Sequence, residues 1–530
     1  MTDMTRSAGL LSFGLVSAPI TLVLLVSGVY NSLFTEHSLA TDGLNLEQLV
    51  LWRAWIIIYR LFFHPLRKYP GPILYAASRL PQLAHFSLGS SHSMGVRLHK
   101  EYGPIVRIGP NQLSYIDPRA WKDIQGHRVG GRGGFPKDRA LMGHQEHSDI
   151  LHADDATHTR QRRIFSHAFS EKALREQESL IRGYTDLLVS KLGEKACQQG
   201  EQPHHDEAIV DIVRLYNFTT FDIMADLTFG EPLGMLQDGD YVPWVSNIFS
   251  SVKYMVMGTF LRVYPIFGQL FAPLLSSSLK AEMEKHTKYS NDRVDRRLQY
   301  DKDRGDIWSL VQRNADLNNI SRGEMYANAQ IFMIAGTETT ATLLSGLTFL
   351  LCRNPDRLKI LSDEIRSLHL QDLNIINLQR LPYLNACLEE GLRMYPPAPG
   401  VVPRVAPQGG STVCGQFVPE GTTASVAQYA AYTSTYNFAD PHDFVPERWL
   451  AEPPEKYAND NKEVVQPFSY GPRNCIGKNL AYHEMRLILA AVLWKFDIEL
   501  ADKSSSWMEQ KSFGIWEKPP LKVHLHSRRE

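Results

Sequence analysis

Cysteine is scarce in this sequence, and none of it is placed to pair. Five occur in 530 residues, Cys197, Cys352, Cys387, Cys414 and Cys475, an odd number with no C-x-x-C spacing. That excludes a disulfide scaffold and a zinc ribbon, and it suits a reducing compartment. An excess of one charge is also lacking: 56 Lys+Arg stand against 57 Asp+Glu, a formal net charge of −1. Nucleic-acid binders ordinarily show a basic excess or stripe, so no nucleic acid is expected as a partner. Repeats and low-complexity tracts are missing after about residue 69. With 43% hydrophobic and 10% aromatic residues, the chain is not disordered. What remains is one large fold or two to three ordinary domains, with ample core in either case.

The first long charge-free run is Gly9–Tyr30, GLLSFGLVSAPITLVLLVSGVY. As a helix it would extend about 33 Å, enough for a bilayer core and longer than the apolar part of a cleavable signal. A second apolar stretch, residues 49–63, is interrupted by Arg53 and Arg60. It either crosses the membrane or lies along its surface with both arginines reaching outward. The basic IYRLFFHPLRKYPGP that follows places the rest of the chain on the cytosolic side. Pro65, Pro70 and Pro72 make a stiff hinge, so residues 1–68 read as a membrane anchor and 69–530 as the globular body.

The body reads as mainly α with small β-sheets. Helical periodicity predicts helices over 171–198, 206–227, 275–298, 322–353 and 478–495. β-type residues with turn punctuation predict strands within 105–117 and 411–427, and the glycine-rich 126–138 predicts an irregular loop.

One cysteine stands in a chemically distinctive setting. In PFSYGPRNCIGKNLAYHEMRLILA (467–490) a loop punctuated by proline and glycine presents Cys475 just before an apolar-periodic helix. A thiolate there gains from free backbone N–H groups and the helix dipole. Gly471 and Gly477 allow a tight turn and close approach by a flat partner, Phe468 can shield the sulfur, and Arg473 adds positive charge. Phe468, Gly471, Arg473, Cys475 and Gly477 fill every fixed position of F-x-x-G-x-R-x-C-x-G. This segment resembles the haem-binding loop of the cytochrome P450 monooxygenases. The resemblance implies haem b bound through the Cys475 thiolate as the axial metal ligand.

The same resemblance gives meaning to other residues. The apolar helix 325–355 carries Ala335-Gly336-Thr337-Glu338-Thr339-Thr340, which is similar to the family's acid–alcohol segment. It implies Thr339 as the alcohol facing dioxygen, Glu338 as the proton relay, and Gly336 as the residue leaving room for O2. Glu390 and Arg393 lie i, i+3 on a helix with apolar flanks, and Pro446-Glu447-Arg448-Trp449 follows. In the family such an E-x-x-R joins the later arginine, which implies a buried structural network of Glu390, Arg393 and Arg448. His158 and Arg162, spaced i, i+4, are implied to hold the haem propionates together with Arg404 and Arg473. The likeness runs from Tyr59 to the C-terminus and is closest to membrane-bound filamentous-fungal members that tailor secondary metabolites.

The activity so implied is an O2- and NADPH-dependent monooxygenase oxidising a lipophilic polyketide, terpenoid or alkaloid intermediate. Desaturation or ring closure stays open, as does a non-oxygenase isomerase or lyase on the same scaffold, or a haem carrier or sensor. Retention of Glu338-Thr339 favours oxygen chemistry. No nicotinamide or flavin fingerprint is found, so electrons are expected from an NADPH–cytochrome reductase, with cytochrome b5 as a further partner. Arg160, Arg163, Lys478 and Arg486 are candidate basic contacts for it. The resemblance implies a substrate pocket between 126–152, the apolar 242–275, the helix before Ala335, 396–402 and the turn Ser512–Glu517. The expected location is the endoplasmic reticulum membrane, with the catalytic domain facing the cytosol.

Overall fold

The computed structural model describes residues 46–127, 134–138, 147–199, 208–242, 244–245, 277–300, 303–314, 319–400 and 402–528. Its chain contacts divide it into two compact units, Met1–Arg67 and Lys68–Glu530.

In the first unit, the helix Leu46–Ile58 continues into a wider turn, Tyr59–Phe63. Val50, Leu51, Trp55, Ile57, Ile58, Phe62 and Phe63 are all exposed on it. Among the described residues no helix is long and apolar enough to cross a membrane. The candidate span 9–30 lies outside the described residues.

In the second unit, Ser321 starts the central helix, Arg322–Arg353. Its hydroxyl accepts from the Glu324 backbone N–H, and the Glu324 carboxylate accepts from the Ser321 N–H, a closed capping box. Pro355 begins the next helix, Pro355–Arg366. From Ala341 to Leu351 every residue of the central helix is buried, as apolar character on all faces requires. The helix Ile212–Phe229, itself buried along almost its whole length, packs along it. The helices Pro382–Met394 and Lys478–Lys495 also pack on it and bring the Cys475 loop to its flank.

Among the described residues nine strands form three small sheets. β1 (Ile105–Gly109), β2 (Gln112–Tyr115), β7 (Thr423–Val426) and β4 (Arg404–Val405) lie in that order, with β2 and β7 parallel. β9 (Lys522–Ser527) is flanked by β3 (Ala208–Asp211) and β8 (Phe496–Leu500). β5 (Ser411–Val413) and β6 (Gln416–Val418) form a hairpin.

The mainly helical architecture with small sheets agrees with the sequence reading, and 322–353 and 478–495 are helices at both predicted ends. The predicted helix 206–227 is corrected. Residues 208–211 are strand β3, and helix begins only at Ile212. The apolar Ile209-Val210 pair is drawn into a ladder with β9, antiparallel with Ala208 opposite Leu525, and helical periodicity cannot register that distant partner.

Candidate active site

The Cys475 loop is shaped by backbone geometry first. Gly471 adopts φ +75°, and a Cβ there would lie 2.0 Å from the Gln125 carbonyl oxygen. Only glycine satisfies both conditions. The Cys475 N–H donates to the Phe468 carbonyl at 2.8 Å, closing the loop. Phe468 stacks at a tilt on Tyr482, ring centroids 5.1 Å apart. Gly477 is a different case, because a Cβ there would meet nothing closer than the Cys475 sulfur at 3.9 Å.

Cys475 faces a cavity of about 350 Å³. Its sulfur opens onto that space while protein encloses the other sides. Burial pushes the thiol above its ordinary value, against the Gly477 N–H and the charges of Arg162 and Lys478, which favour the thiolate. The helix terminus therefore helps, but desolvation outweighs it.

From the central helix, Ala335, Gly336, Thr339 and Thr340 line the same cavity. The Thr339 hydroxyl donates to the Ala335 carbonyl at 2.6 Å, within its own helix. The nearest atoms to a Cβ on Gly336 would all belong to the flexible side chain of Met224, with Sδ 2.7 Å away. Glu338 does not line the cavity. It is buried in an ion pair with Lys518, whose Nζ also donates to Thr342 Oγ1 at 2.6 Å.

Basic groups gather around the cavity. Asp154 caps the helix Asp155–Phe165 by accepting from the Thr157 N–H at 2.8 Å, and this helix carries His158 and Arg162. Arg162 donates to the carbonyl and to Oδ1 of Asn474, directly beside Cys475. Arg473 is held by Asp155 and by the Ala153 carbonyl, the latter at 2.9 Å. Arg404 donates to the Phe135 carbonyl at 3.4 Å, while its buried Nε has no partner. Lys137, not singled out from the sequence, joins them through an isolated antiparallel backbone bridge to Arg404.

Crowding shows in the protonation equilibria. Burial, then Arg473 and Arg404, push Lys137 down to about 7. Burial, then Arg473, Lys137 and Arg162, push His158 down to about 4. Arg404 falls to about 10, through burial first and Arg473 second. His158 is thus a neutral hydrogen-bonding group here at neutral pH.

Behind the Cys475 loop, Glu390 and Arg393 have no exposure at all. Arg393 donates to both Glu390 oxygens at 2.8 and 2.7 Å and to the carbonyls of Tyr432, Pro441 and Asp443. Arg448 reaches Glu390 Oε1 at 3.2 Å and also pairs with Asp460, a member the sequence reading missed. Burial would raise the Glu390 carboxyl, but the Arg393 fork beside it wins and holds it below its ordinary value.

The candidate reductase contacts are differently engaged. Arg160 pairs with Glu324, Arg486 donates to Asn385 Oδ1 at 2.8 Å, and Lys478 lies over the Phe468 ring. Arg163 is exposed. Of the expected pocket walls, 128–133, 139–146, 401 and 246–276, the last being most of the apolar segment, lie outside the described residues.

Comparison with known proteins identifies the class of protein to which this site belongs. The sequence profile described as Cytochrome P450 matches residues 70–525. The chain is 48% identical over 475 residues to the cytochrome P450 monooxygenase efuB of Hormonema carpetanum, covering 88% of this chain and 93% of that protein. It is 43% identical over 484 residues to the cytochrome P450 monooxygenase astJ of Aspergillus oryzae, covering 90% and 95%. It is 40% identical over 495 residues to the trichothecene C-15 hydroxylase of Fusarium sporotrichioides, covering 92% and 98%. The chain belongs to the cytochrome P450 family and is an oxidoreductase.

Membership implies a haem held by a cysteine thiolate, and the residues present fit one. The crowded basic rim and the unpartnered Arg404 Nε call for an anionic group in the cavity, as the haem propionates would provide. Nothing in the chain's own packing requires glycine at 477, whereas a flat group against Cys475 would.

Proposed function

We propose that the protein is a haem-thiolate monooxygenase that uses O2 and reductase-delivered NADPH electrons to hydroxylate a lipophilic intermediate of fungal secondary metabolism. The single observation that carries the reading is Cys475 sharing one cavity with Gly336 and Thr339.

Haem b, bound through Cys475, supplies the oxygen-activating chemistry. The chain's residues then have separable tasks. Gly477 and the Phe468 carbonyl fix the sulfur's position, and Arg162 holds the loop through Asn474. His158, Arg162, Arg404 and Arg473 take the carboxylates. Gly336 keeps space open beside the sulfur-facing group. Thr339, its proton directed to Ala335, offers its oxygen lone pairs to the cavity. Glu338 reaches that space only after leaving Lys518. Glu390, Arg393 and Arg448 hold the chain behind the loop and take no part in the chemistry.

The mostly apolar lining of the cavity, with Ile331, Phe332, Leu392 and Val402, supports a lipophilic substrate. The charge-free 9–30 run and the exposed apolar residues of 46–63 support attachment by residues 1–68 to the endoplasmic reticulum membrane, with 69–530 facing the cytosol. An NADPH–cytochrome reductase, assisted by cytochrome b5, is the proposed redox partner.

The test is spectroscopic and then chemical. Reduced, CO-bound protein should show the red-shifted Soret band of a thiolate haem, and Cys475→Ala should lose it. An unchanged band in that variant would refute the ligand assignment. Co-expression with a reductase and feeding of lipophilic candidates should then give a product heavier by one oxygen atom. Product formation without NADPH would refute the monooxygenase reading.

A further inference from the structure

Of the described side chains that line the Cys475 cavity, three carry sulfur: Cys475, Met224 and Met485. Tyrosine and tryptophan are missing from that described lining. With Cys475 committed as a ligand, the two thioethers are therefore its most readily oxidised groups. Met485 belongs to the helix Lys478–Lys495, which runs on from the Cys475 loop. Met224 comes from Ile212–Phe229, the helix packed along the central helix, and is 2% exposed. The three atoms nearest to a Cβ built on Gly336 are all its own: Sδ at 2.7 Å, Cε at 2.8 Å and Cγ at 3.0 Å. Gly336 is the residue that keeps space open for O2 in the monooxygenase reading. The Met224 sulfur thus stands against the wall of the space in which oxygen is activated. Packing alone does not call for sulfur there, since leucine supplies nearly the same apolar volume.

We propose that Met224 is a self-oxidation site: with no lipophilic substrate in the cavity, the protein transfers an oxygen atom to the Met224 thioether and converts it to the sulfoxide. The inference rests on the monooxygenase reading and extends it to a residue of the protein itself. In this step the O–O bond of O2 breaks. One oxygen atom bonds to Sδ, which gives up two electrons. The other takes the two electrons of one NADPH and leaves as water, with one proton from NADPH and one from solvent.

Sulfoxidation changes the cavity, because a flexible apolar end becomes a polar one with an added oxygen atom. That atom has to be accommodated beside Gly336, at the expense of the space the glycine keeps open. Turnover should therefore slow as the modification accumulates. A lipophilic substrate filling the cavity takes the oxygen first and spares the residue.

The test uses the full-length holoprotein with an NADPH–cytochrome reductase, NADPH, catalase and isotopically heavy O2, and no organic substrate. Peptide mass spectrometry should find one heavy oxygen atom on Met224, in step with the NADPH consumed, and none when NADPH is omitted. Catalase removes free peroxide, so oxygen that reaches Met224 in its presence was transferred inside the cavity. Met224→Leu keeps the apolar filling without the sulfur. It should hold its own initial rate of NADPH consumption several-fold longer than wild type. If that variant fails to take up haem, the wild-type peptide still decides. Heavy oxygen absent from Met224 after turnover, or found only on Met485 or on exposed methionines, overturns this proposal alone. A Met224→Leu protein that loses its rate as fast as wild type does so too. A wild type without the thiolate-haem band overturns the monooxygenase reading as well.

Discussion

Lys518, in the C-terminal segment, is ion-paired with Glu338 in the middle of the central helix, and the two side chains are 4% and 5% exposed. Thr342, one turn along, accepts from the same ammonium at 2.6 Å. Three polar groups from two remote parts of the chain are sealed together in this way. The neighbouring Trp516 fixes the segment from the other side, donating to the Pro396 carbonyl at 2.7 Å and stacking on Tyr395.

Removing one member of this pair should therefore be worse than removing both. Lys518→Met leaves the Glu338 carboxylate buried without its partner, and a loss of about 3–5 kcal/mol is expected. Combining it with Glu338→Gln should recover most of that loss. Urea unfolding of the two single variants and the double variant measures the coupling. Additive losses would mean that the pair contributes no mutual stabilisation.

Two glycines of the central helix should respond oppositely to alanine. A Cβ on Gly346 would sit 2.2 Å from a Tyr395 ring carbon, and that ring is held by Trp516 and by its hydroxyl bond to Gln510. Gly346→Ala should cost about 1–3 kcal/mol by overpacking. At Gly336 the obstacle is the pliable end of Met224, so Gly336→Ala should change stability by less than about 1 kcal/mol. Thermal unfolding separates the two variants.

The body should weaken in acid through its buried histidines. His99 Nδ1 donates to the Gly103 carbonyl and its Nε2 accepts from Ser114, so the neutral ring is fully satisfied. Burial pushes it down to about 4, and His483 likewise. Below pH 6.5 the unfolded chain takes up protons that these folded rings refuse, so stability falls as pH falls from about 6.5 to about 4. For His99 the loss is on the order of 3 kcal/mol at the acid end. His99→Gln should flatten the unfolding free energy across that interval, and an unchanged slope would show that the ring titrates normally.

The parts of the site legible in the sequence were those whose chemistry is local. The Cys475 loop has its glycines, phenylalanine and arginine within ten residues, and Phe468, Arg473 and Gly477 line one cavity with Cys475. Glu390 and Arg393 share one helical turn, so their pairing could be read from spacing alone. Glu484, which lines the cavity and is 1% exposed, escaped notice because it stands between His483 and Met485, two residues before Arg486, and resembles an ordinary surface charge. Its burial is a property of the packing of two helices, not of its neighbours in sequence. Asp460 and Lys518 were hidden for the same reason, since their partners lie 12 and 180 residues away. Strand β3 shows the effect on the backbone, where residues with helical periodicity are claimed by a distant ladder.

That ladder also constrains how the protein can be made. β9 is the last strand in chain order among the described residues, yet it is the middle strand of its sheet. β3, more than 300 residues upstream, pairs with it. On the ribosome, β3 and β8 must emerge and wait with open edges until β9 has followed, a strongly non-local order of assembly. A premature stop removing only the last dozen residues would spare every group around Cys475 and still leave two strands without their shared partner. Changes to β9 therefore act on the completion of the fold itself.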